Sequence, residues 1–284
     1  MSTITPTTRE LLCCPDCKGE LETAAERLVC PDCSRHYDVV EGKPHLFPAD
    51  RVLPENDGVA LSGPDKPTWE YFGLESIIPE APHPQARALD VGCGPGSASR
   101  LLERGYSVTG FDAYPDEHMD VVGDAHSPPF KDGLFALVSA MSVFEHLSDP
   151  WKACREMHRV LQPGGYLACS LSFLEPFHGQ SYHHFSHLGA RRLLETSGFE
   201  VMLLEPLGFT YAEACQRLLV PLPPLPRVSG VAVRMLLALR RVGIQLVAWH
   251  YKGRHDGKHQ RALTYLEEDR YRFEGGFKLV GLKR

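Results

Sequence analysis

The chain has 284 residues, of which 43% are hydrophobic and 23% are charged, and its formal net charge at pH 7 is −6. This composition is typical of a globular protein, without low-complexity tracts or repeats, and the length predicts one large domain and one small domain. The most apolar late segment is interrupted by Arg234, Arg240 and Arg241, so we expect no membrane-spanning helix. The first ten residues are polar and lack the apolar core of a signal peptide, so we expect a cytoplasmic location.

Two Cys-x-x-Cys pairs lie near the N-terminus, Cys14 with Cys17 and Cys30 with Cys33. Each pair places two thiolates on one side of a tight turn, and two such pairs complete a tetrahedron around Zn²⁺. Disulfides are not expected in a cytoplasmic chain, and four soft ligands favour zinc over oxygen-seeking ions. We therefore predict a zinc ribbon over residues 1–50, in which a structural ion supplies the folding energy that a small core lacks.

Residues 51–67 are rich in Pro, Gly and Asp and predict a linker, so that residues 68–284 form the second domain. A glycine-rich turn follows the first predicted strand of this domain, in the segment Leu89-Asp90-Val91-Gly92-Cys93-Gly94-Pro95-Gly96. A helical pattern begins at Ser97. Glycines in such a turn allow the backbone to approach a flat, polar cofactor closely. The turn alone does not identify the ligand, because every dinucleotide-binding fold has such a turn.

Two acidic residues end the next two predicted strands. Asp112 lies about twenty residues after the glycine turn, where such folds place a carboxylate that holds ribose hydroxyls. Asp124 ends the third strand and is predicted to reach an adenine amino group. A fourth strand is predicted over residues 132–141. Asp149-Pro150 predicts a helix start, with a capping side chain before a first-turn proline.

The later elements continue the alternation of strands and helices. We expect the helix from Pro150 to end before Pro163-Gly164-Gly165, further strands over residues 166–173, 199–205 and 277–282, and a helix over residues 188–197. The pattern predicts an α/β fold with a Rossmann-like, doubly wound, mostly parallel sheet of seven strands. Ligands of such sheets bind beyond the carboxyl ends of the strands.

A helical insertion is predicted over residues 208–270, before the last strand. Within it, a helical pattern over residues 231–252 places Arg234, Arg241, Gln245 and Lys252 on one narrow stripe of a mostly apolar helix. Residues 217–284 carry 14 Lys and Arg against 5 Asp and Glu, whereas residues 1–216 carry 16 against 31. Three roles stay open for this helix: a cap over a substrate pocket, a dimer contact and a peripheral membrane contact. The oligomeric state is not defined by the sequence.

The motifs of the second domain, in their order, resemble the class I S-adenosylmethionine-dependent methyltransferases, in the small-molecule branch that includes quinone-pathway enzymes. The resemblance covers roughly residues 67–207 and the terminal strand, which the family places antiparallel. It implies a cofactor site formed by the residues at these motifs: Asp90, Gly92, Gly94, Gly96, Asp112, Asp124, Ala125 and Met141. The chain departs from the family at Ala136, where an Asp is usual; we expect the cofactor site to survive this change.

The N-terminal pattern from Leu11 to Pro48 resembles the small zinc-ribbon proteins that pair with and activate tRNA, rRNA and protein methyltransferases. The two resemblances together predict an enzyme that transfers a methyl group from S-adenosylmethionine to a small or lipid-like acceptor, at oxygen. One alternative is an rRNA or tRNA methyltransferase with a zinc-ribbon module, although the ribbon is acidic and a poor phosphate binder. The other is a non-catalytic binding protein that uses the cofactor fold.

The acceptor side of the site is predicted to include histidines, since acceptor residues in this fold come from loops after the fourth and fifth strands. Four histidines lie between residues 178 and 187, and an imidazole titrates near neutral pH, which suits a general base. The candidates are His178, His184 and, in the Glu-His-Leu element after the fourth strand, His146. A second interpretation is that two of the loop histidines hold a divalent metal ion.

Overall fold

The computed structural model describes residues 4–24, 27–51, 74–94, 97–115, 118–174, 181–207, 226–250, 252, 258–269 and 276–284. Nearly all of the predicted linker and part of the predicted helical insertion lie outside these residues. The division into domains at residues 50 and 68 therefore stays a prediction.

The described helices are α1 Pro6–Leu11, α2 Ser97–Glu103, α3 Pro150–Val160, α4 His187–Thr196, α5 Pro226–His250 and α6 Lys258–Asp269. The described strands are β1 Glu22–Ala24, β2 Arg27–Val29, β3 His36–Val40, β4 Lys43–Leu46, β5 Arg87–Val91, β6 Ser107–Asp112, β7 Val121–Gly123, β8 Phe135–Met141, β9 Leu161–Ser172, β10 Phe199–Pro206 and β11 Gly276–Lys283.

The central sheet has the predicted class I α/β architecture. Strands β5, β6, β7, β8 and β9 are parallel, and β11 enters between β9 and β10 and is antiparallel to both. Strand β5 is buried on both faces, as expected for a strand in the middle of a parallel sheet. Helix α3 begins as predicted, because the side chain of Asp149 accepts a hydrogen bond from the backbone N–H of Lys152.

The strand count is higher than the seven that the sequence predicts, because the N-terminal ribbon joins the same sheet. Its strands form the antiparallel meander β1-β2-β3-β4, and β4 then pairs in parallel with β7 through His45 with Val122 and Leu46 with Gly123. The sheet is thus continuous in the order β1-β2-β3-β4-β7-β6-β5-β8-β9-β11-β10. The ribbon covers an edge of the parallel sheet that would otherwise expose unpaired backbone groups.

Strand β9 begins earlier than the sequence predicts. The segment Pro163-Gly164-Gly165 belongs to the strand, because Leu161 already pairs with Phe135 and the register shifts between Phe135 and Leu137. Gly164 has a φ of +78°, which a glycine adopts without the strain of a side chain. The helix therefore passes directly into an irregular strand instead of ending in a loop.

The largest hydrophobic cluster of buried residues includes side chains of both domains. Leu11, Leu28 and Leu46 of the ribbon belong to the same cluster as Phe111 of β6 and Phe130 of the segment between β7 and β8. The rings of Phe111 and Phe130 meet edge to face, with centroids 5.4 Å apart. Removing the ribbon would expose this apolar surface, so the two domains are expected to unfold together.

Helix α5, which begins five residues before the predicted position, packs against α6. The imidazole Nδ1 of His259 lies 2.8 Å from the backbone carbonyl oxygen of Ala248 and fixes the crossing of the two helices. Among the described residues, no helix is both long and apolar enough to cross a bilayer.

Candidate functional site

The turn after β5 exposes bare backbone at the carboxyl end of the sheet. Gly92 has a φ of +68°, and a Cβ added there would lie 2.6 Å from Cγ2 of Val143. A Cβ on Gly94 would have no heavy atom within 4 Å. Gly92 is thus required by conformation and by packing, whereas Gly94 borders open space that a bound molecule can occupy.

Two carboxylates flank this turn at the ends of β6 and β7. The Oδ1 of Asp112 accepts a hydrogen bond from the backbone N–H of Tyr114 at 3.1 Å, which fixes the loop after β6. Asp124 is buried, at 4% exposure, directly after β7. Since neighbouring parallel strands end at the same edge, both acids line one cavity with Gly92 and Gly94.

His126 holds the carboxylate of Asp124 in place. The Nδ1 of His126 lies 2.6 Å from Oδ1 of Asp124, and the backbone N–H of His126 donates to the same oxygen at 2.8 Å. The Nε2 of this ring accepts from the backbone N–H of Asp149 at 3.1 Å, so the proton of a neutral ring sits on Nδ1. Burial disfavours the charge on Asp124, but the hydrogen bonds from His126 outweigh it and lower the pKa of the carboxyl.

The cavity has a volume of about 310 Å³, within the range of small-molecule sites. Apolar side chains of Val91, Phe111, Val143 and Leu147 form much of its wall, and the polar groups converge from the strand ends. An apolar wall with a few placed carboxylates suits a ligand that has a flat ring and a polyhydroxylated part.

His146 and Tyr182 also line the cavity. Both belong to loops that Glu145 joins: its backbone carbonyl accepts from the N–H groups of Tyr182 at 2.7 Å and His183 at 3.1 Å. The buried carboxylate of Glu145 also accepts from Ser172 Oγ at 2.9 Å. The loop after β8 is therefore fastened to the loop after β9, beside the cavity.

The four cysteines of the ribbon form a cluster whose sulfur atoms all lie within 4.8 Å of one another. The two turns have matching geometry: Lys18 and Ser34 follow the two pairs with φ of +62° and +57°, and each donates its N–H to the carbonyl of Cys14 or Cys30, at 2.9 and 2.8 Å. The Sγ atoms of Cys14 and Cys33 are 3.6 Å apart. A set of four thiolates at this spacing fits a tetrahedral Zn²⁺, with no position left for a substrate.

The first cysteine turn contacts the cofactor side of the sheet directly. Ser127 Oγ donates to the backbone carbonyl of Pro15 at 2.5 Å and accepts from Lys18 Nζ at 2.8 Å. Lys18 also pairs with Glu156 at 3.1 Å. Burial opposes the charge on Glu156, but hydrogen bonds from Arg159 and the charge of Lys18 lower the pKa of its carboxyl. Ser127, which makes two of these contacts, is one residue from His126 and three residues from Asp124.

Comparisons with known proteins agree with both parts of this description. Residues 89–169 match the model of the family described as "Methyltransferase domain", and residues 5–42 match the model of the Trm112p-like proteins. The chain joins a methyltransferase domain to a Trm112p-like zinc-ribbon domain.

Named relatives match the methyltransferase part. An uncharacterized methyltransferase of Mycobacterium sp. (strain JLS) is 35% identical over 116 residues, which are 37% of this chain and 46% of that protein. The 2-methyl-6-phytyl-1,4-hydroquinone methyltransferase of Synechocystis sp. is 35% identical over 113 residues, 34% of each chain. The chain thus spans less than half the length of these relatives.

Among solved structures, the complex between the Haloferax volcanii Trm112 methyltransferase activator and a candidate methyltransferase is similar at 18% identity and a TM-score of 0.44. That similarity covers 76% of this chain and 89% of the other.

The methyltransferase domain brings together most of the predicted cofactor residues that the structure describes. Gly92, Gly94, Asp112, Asp124 and Ala125 line the cavity. Asp90 is buried at the end of β5, at 1% exposure. Met141 packs with the second hydrophobic cluster, around Leu137 and Ala168, instead of lining the described wall. Gly96 lies outside the described residues.

Of the three candidate histidines, the structure places one at the cavity. His146 lines the cavity, whereas His184 is exposed and its Nε2 lies 3.2 Å from Ser181 Oγ. His178 lies outside the described residues. The sequence analysis assigned no role to His126 or Tyr182. His126 follows a strand-ending acid by two residues, and this spacing could have indicated that its side chain folds back onto Asp124.

Proposed function

We propose that the chain is an S-adenosylmethionine-dependent methyltransferase that acts on an oxygen of a small or lipid-like acceptor. The observation that carries the proposal is the cavity in which Gly92, Gly94, Asp112 and Asp124 converge at the carboxyl ends of three neighbouring strands. When bound there, S-adenosylmethionine supplies an electrophilic methyl group on a sulfonium.

Each side chain of the cavity has a distinct binding role in this proposal. Asp112 accepts hydrogen bonds from the ribose hydroxyls, and Asp124 accepts one from the adenine amino group. His126 keeps Asp124 ionised and oriented, since its ring and backbone both donate to the carboxylate. The backbone at Gly94 leaves room for the amino-acid part of the cofactor, which a side chain would fill.

Methyl transfer to oxygen needs alignment of the acceptor and removal of its proton. Of the three candidate bases, we assign the role to His146, because it lines the same cavity as the two acids. Tyr182, 53% exposed at the cavity mouth, is placed to orient the acceptor. Glu145 positions both, since it belongs to the same short helical turn as His146 and accepts from the backbone of Tyr182.

The nature of the acceptor is supported by the chemistry of the wall and by the relatives. Apolar side chains next to His146 favour an acceptor with a hydrophobic part. Two of the matched relatives are a 2-methyl-6-phytyl-1,4-hydroquinone methyltransferase and a probable tocopherol O-methyltransferase, the second 31% identical over 113 residues. We infer an acceptor hydroxyl on a ring that carries an apolar substituent.

The zinc-ribbon domain has a structural role in this proposal. It holds β7, whose end carries Asp124, by pairing Leu46 with Gly123 and by the contacts of Pro15 and Lys18 with Ser127. Such ribbons activate a separate methyltransferase in the proteins they resemble; here the corresponding partner is the domain of the same chain.

The test is incubation of the full chain with methyl-labelled S-adenosylmethionine and a fractionated cell extract, followed by mass spectrometry of the labelled products. The proposal predicts label in an apolar or small-molecule fraction, and no label with the Asp112→Ala variant. Label in RNA would refute a small or lipid-like acceptor and support the alternative of an rRNA or tRNA methyltransferase. Binding of S-adenosylmethionine without label in any fraction would favour a non-catalytic protein.

The base is tested separately by the rate of methyl transfer to the acceptor that the labelled product identifies. His146→Gln is expected to lower kcat at least about a hundredfold, while cofactor affinity stays unchanged. The matched variant His184→Gln should leave both quantities unchanged. An unaffected kcat in His146→Gln would exclude this residue as the base.

A further inference from the structure

Helix α5 presents a row of large apolar side chains to solvent. Met235, Leu239, Val242, Leu246 and Trp249 have exposed fractions of 61, 63, 49, 60 and 74%. Their spacing of four and three residues places them within about 80° of one helix face at 100° per residue. We name this set of five residues the apolar stripe. Such a row is unusual on a monomeric protein surface and marks an interaction site.

The apolar stripe lies on the face of α5 that points away from α6. Ala248 is buried, and its carbonyl oxygen lies 2.8 Å from His259 Nδ1 of α6. The position of Ala248 is about 140° or more around the helix from the centre of the stripe. Helix α6 therefore covers the opposite face, and the stripe is left to an occupant outside the pair of helices.

The charges around the stripe are basic. Helix α5 contains four arginines and no Asp or Glu. Arg241 is exposed and lies about 120° around the helix from the centre of the stripe. Lys252 is exposed just beyond the C-terminal end of α5. Over residues 217–284, basic residues exceed acidic ones by nine. A cationic helix with a compact apolar row and an indole at its end is suited to the interface of an anionic bilayer.

A symmetric contact with a second copy fits these charges less well. In a two-fold interface the same stripe would face itself, which brings together two helices that each carry four arginines and no Asp or Glu. Like charges at such a contact oppose association. On an anionic lipid surface, the basic side chains of the helix instead pair with lipid phosphates, and the apolar stripe is buried at the boundary between headgroups and acyl chains.

We propose that α5 is a monotopic docking helix that places the chain on an anionic lipid surface through the apolar stripe. The helix lies in the plane of the interface, with Trp249 at the level of the headgroups and the basic side chains of the helix on lipid phosphates. This proposal goes beyond methyl transfer and does not depend on it, because the stripe is separate from the cavity at Gly92 and Asp124.

The test is flotation of the full chain with vesicles of phosphatidylcholine alone or of phosphatidylcholine mixed with phosphatidylglycerol. We expect at least about tenfold stronger binding to the anionic vesicles, weakened by salt, and a blue shift of tryptophan emission that Trp249→Phe removes. The double variant Leu239→Glu, Leu246→Glu should lose at least about tenfold in binding. The matched control Met202→Glu, which changes a 55% exposed residue of β10, should bind as the unmodified chain does.

Because the substituted side chains are exposed, the variants should keep the melting temperature and the affinity for S-adenosylmethionine, which separates loss of docking from loss of folding. Equal binding to neutral and anionic vesicles, or unchanged binding of the double variant, would overturn the proposal. So would a dimer in sedimentation that the double variant dissociates while no vesicle is bound, since the stripe would then be an interface between copies.

Discussion

Replacement of Gly123 by Ala tests whether the ribbon and the cofactor site depend on each other. Gly123 pairs with Leu46 of the ribbon and precedes Asp124 in the cavity. A Cβ at this position would lie 2.8 Å from the carbonyl oxygen of Leu46 and 2.9 Å from Cε2 of Phe111. Ordinary contact begins near 3.4 Å, so β4 or β7 must move by about 0.6 Å.

This movement is expected to affect both the stability of the fold and the affinity for S-adenosylmethionine. Overpacking of this kind costs about 1–3 kcal/mol of stability, which lowers the melting temperature by roughly 2–4 °C per kcal/mol in a domain of this size. The same shift displaces Asp124 and its hydrogen bonds to His126. Because displacements below 1 Å already weaken positioned contacts, we expect about tenfold lower affinity for S-adenosylmethionine.

Thermal unfolding and isothermal titration calorimetry measure the two effects. The control is Gly133→Ala, where no heavy atom lies within 4 Å of the added Cβ but φ is +67°. That variant pays about 1–2 kcal/mol for the left-handed backbone and should keep its cofactor affinity. If Gly123→Ala keeps both its melting temperature and its affinity, the reasoning that links β4 to Asp124 is wrong.

Three further outcomes are expected. His126→Ala should lose about 1–3 kcal/mol in urea unfolding, because Asp124 loses its side-chain donor, keeping only the backbone N–H, and the N–H of Asp149 loses its acceptor. The same change at the exposed His36 should cost nothing measurable. The lowered pKa of Asp124 stabilises the fold above the unfolded value of about 3.9 and less as the pH falls through the folded value. The stability difference between the unmodified chain and Asp124→Asn, measured from pH 6 to pH 3, should therefore shrink in acid; a constant difference would refute the shift. Removal of zinc by a chelator should lower the melting temperature of the whole chain in one transition, because the hydrophobic cluster includes residues of both domains; an unchanged transition of the methyltransferase domain would show that they are uncoupled.

Local sequence patterns predict much of the fold. The apolar run that ends at Asp90, the capping pair Asp149-Pro150 and the two cysteine turns each have a short-range physical cause, and the structure has β5, α3 and the thiolate cluster at these places. The acids Asp112 and Asp124 were also predictable, because parallel strands end at one edge of the sheet. Their convergence on one cavity follows from that topology.

The features that the sequence did not predict depend on contacts between distant residues. The pairing of β4 with β7 involves only two residue pairs and joins segments almost eighty residues apart, so no local pattern indicates it. The irregular start of β9 at Leu161 depends on its pairing with Phe135, which overrides the turn propensity of Pro163-Gly164. The role of His126 requires the backbone of Asp149, which the fold brings next to it.

The proposed function requires that S-adenosylmethionine binds at the ends of β5, β6 and β7. Calorimetric titration of the full zinc-loaded chain measures this binding directly. We predict one site per chain, with affinity reduced at least about a hundredfold in Asp112→Ala and unchanged in Asp132→Ala, a surface acid outside the cavity, while the zinc content of both variants stays the same. Equal affinity in Asp112→Ala and the unmodified chain, or no heat of binding in either, would contradict the account.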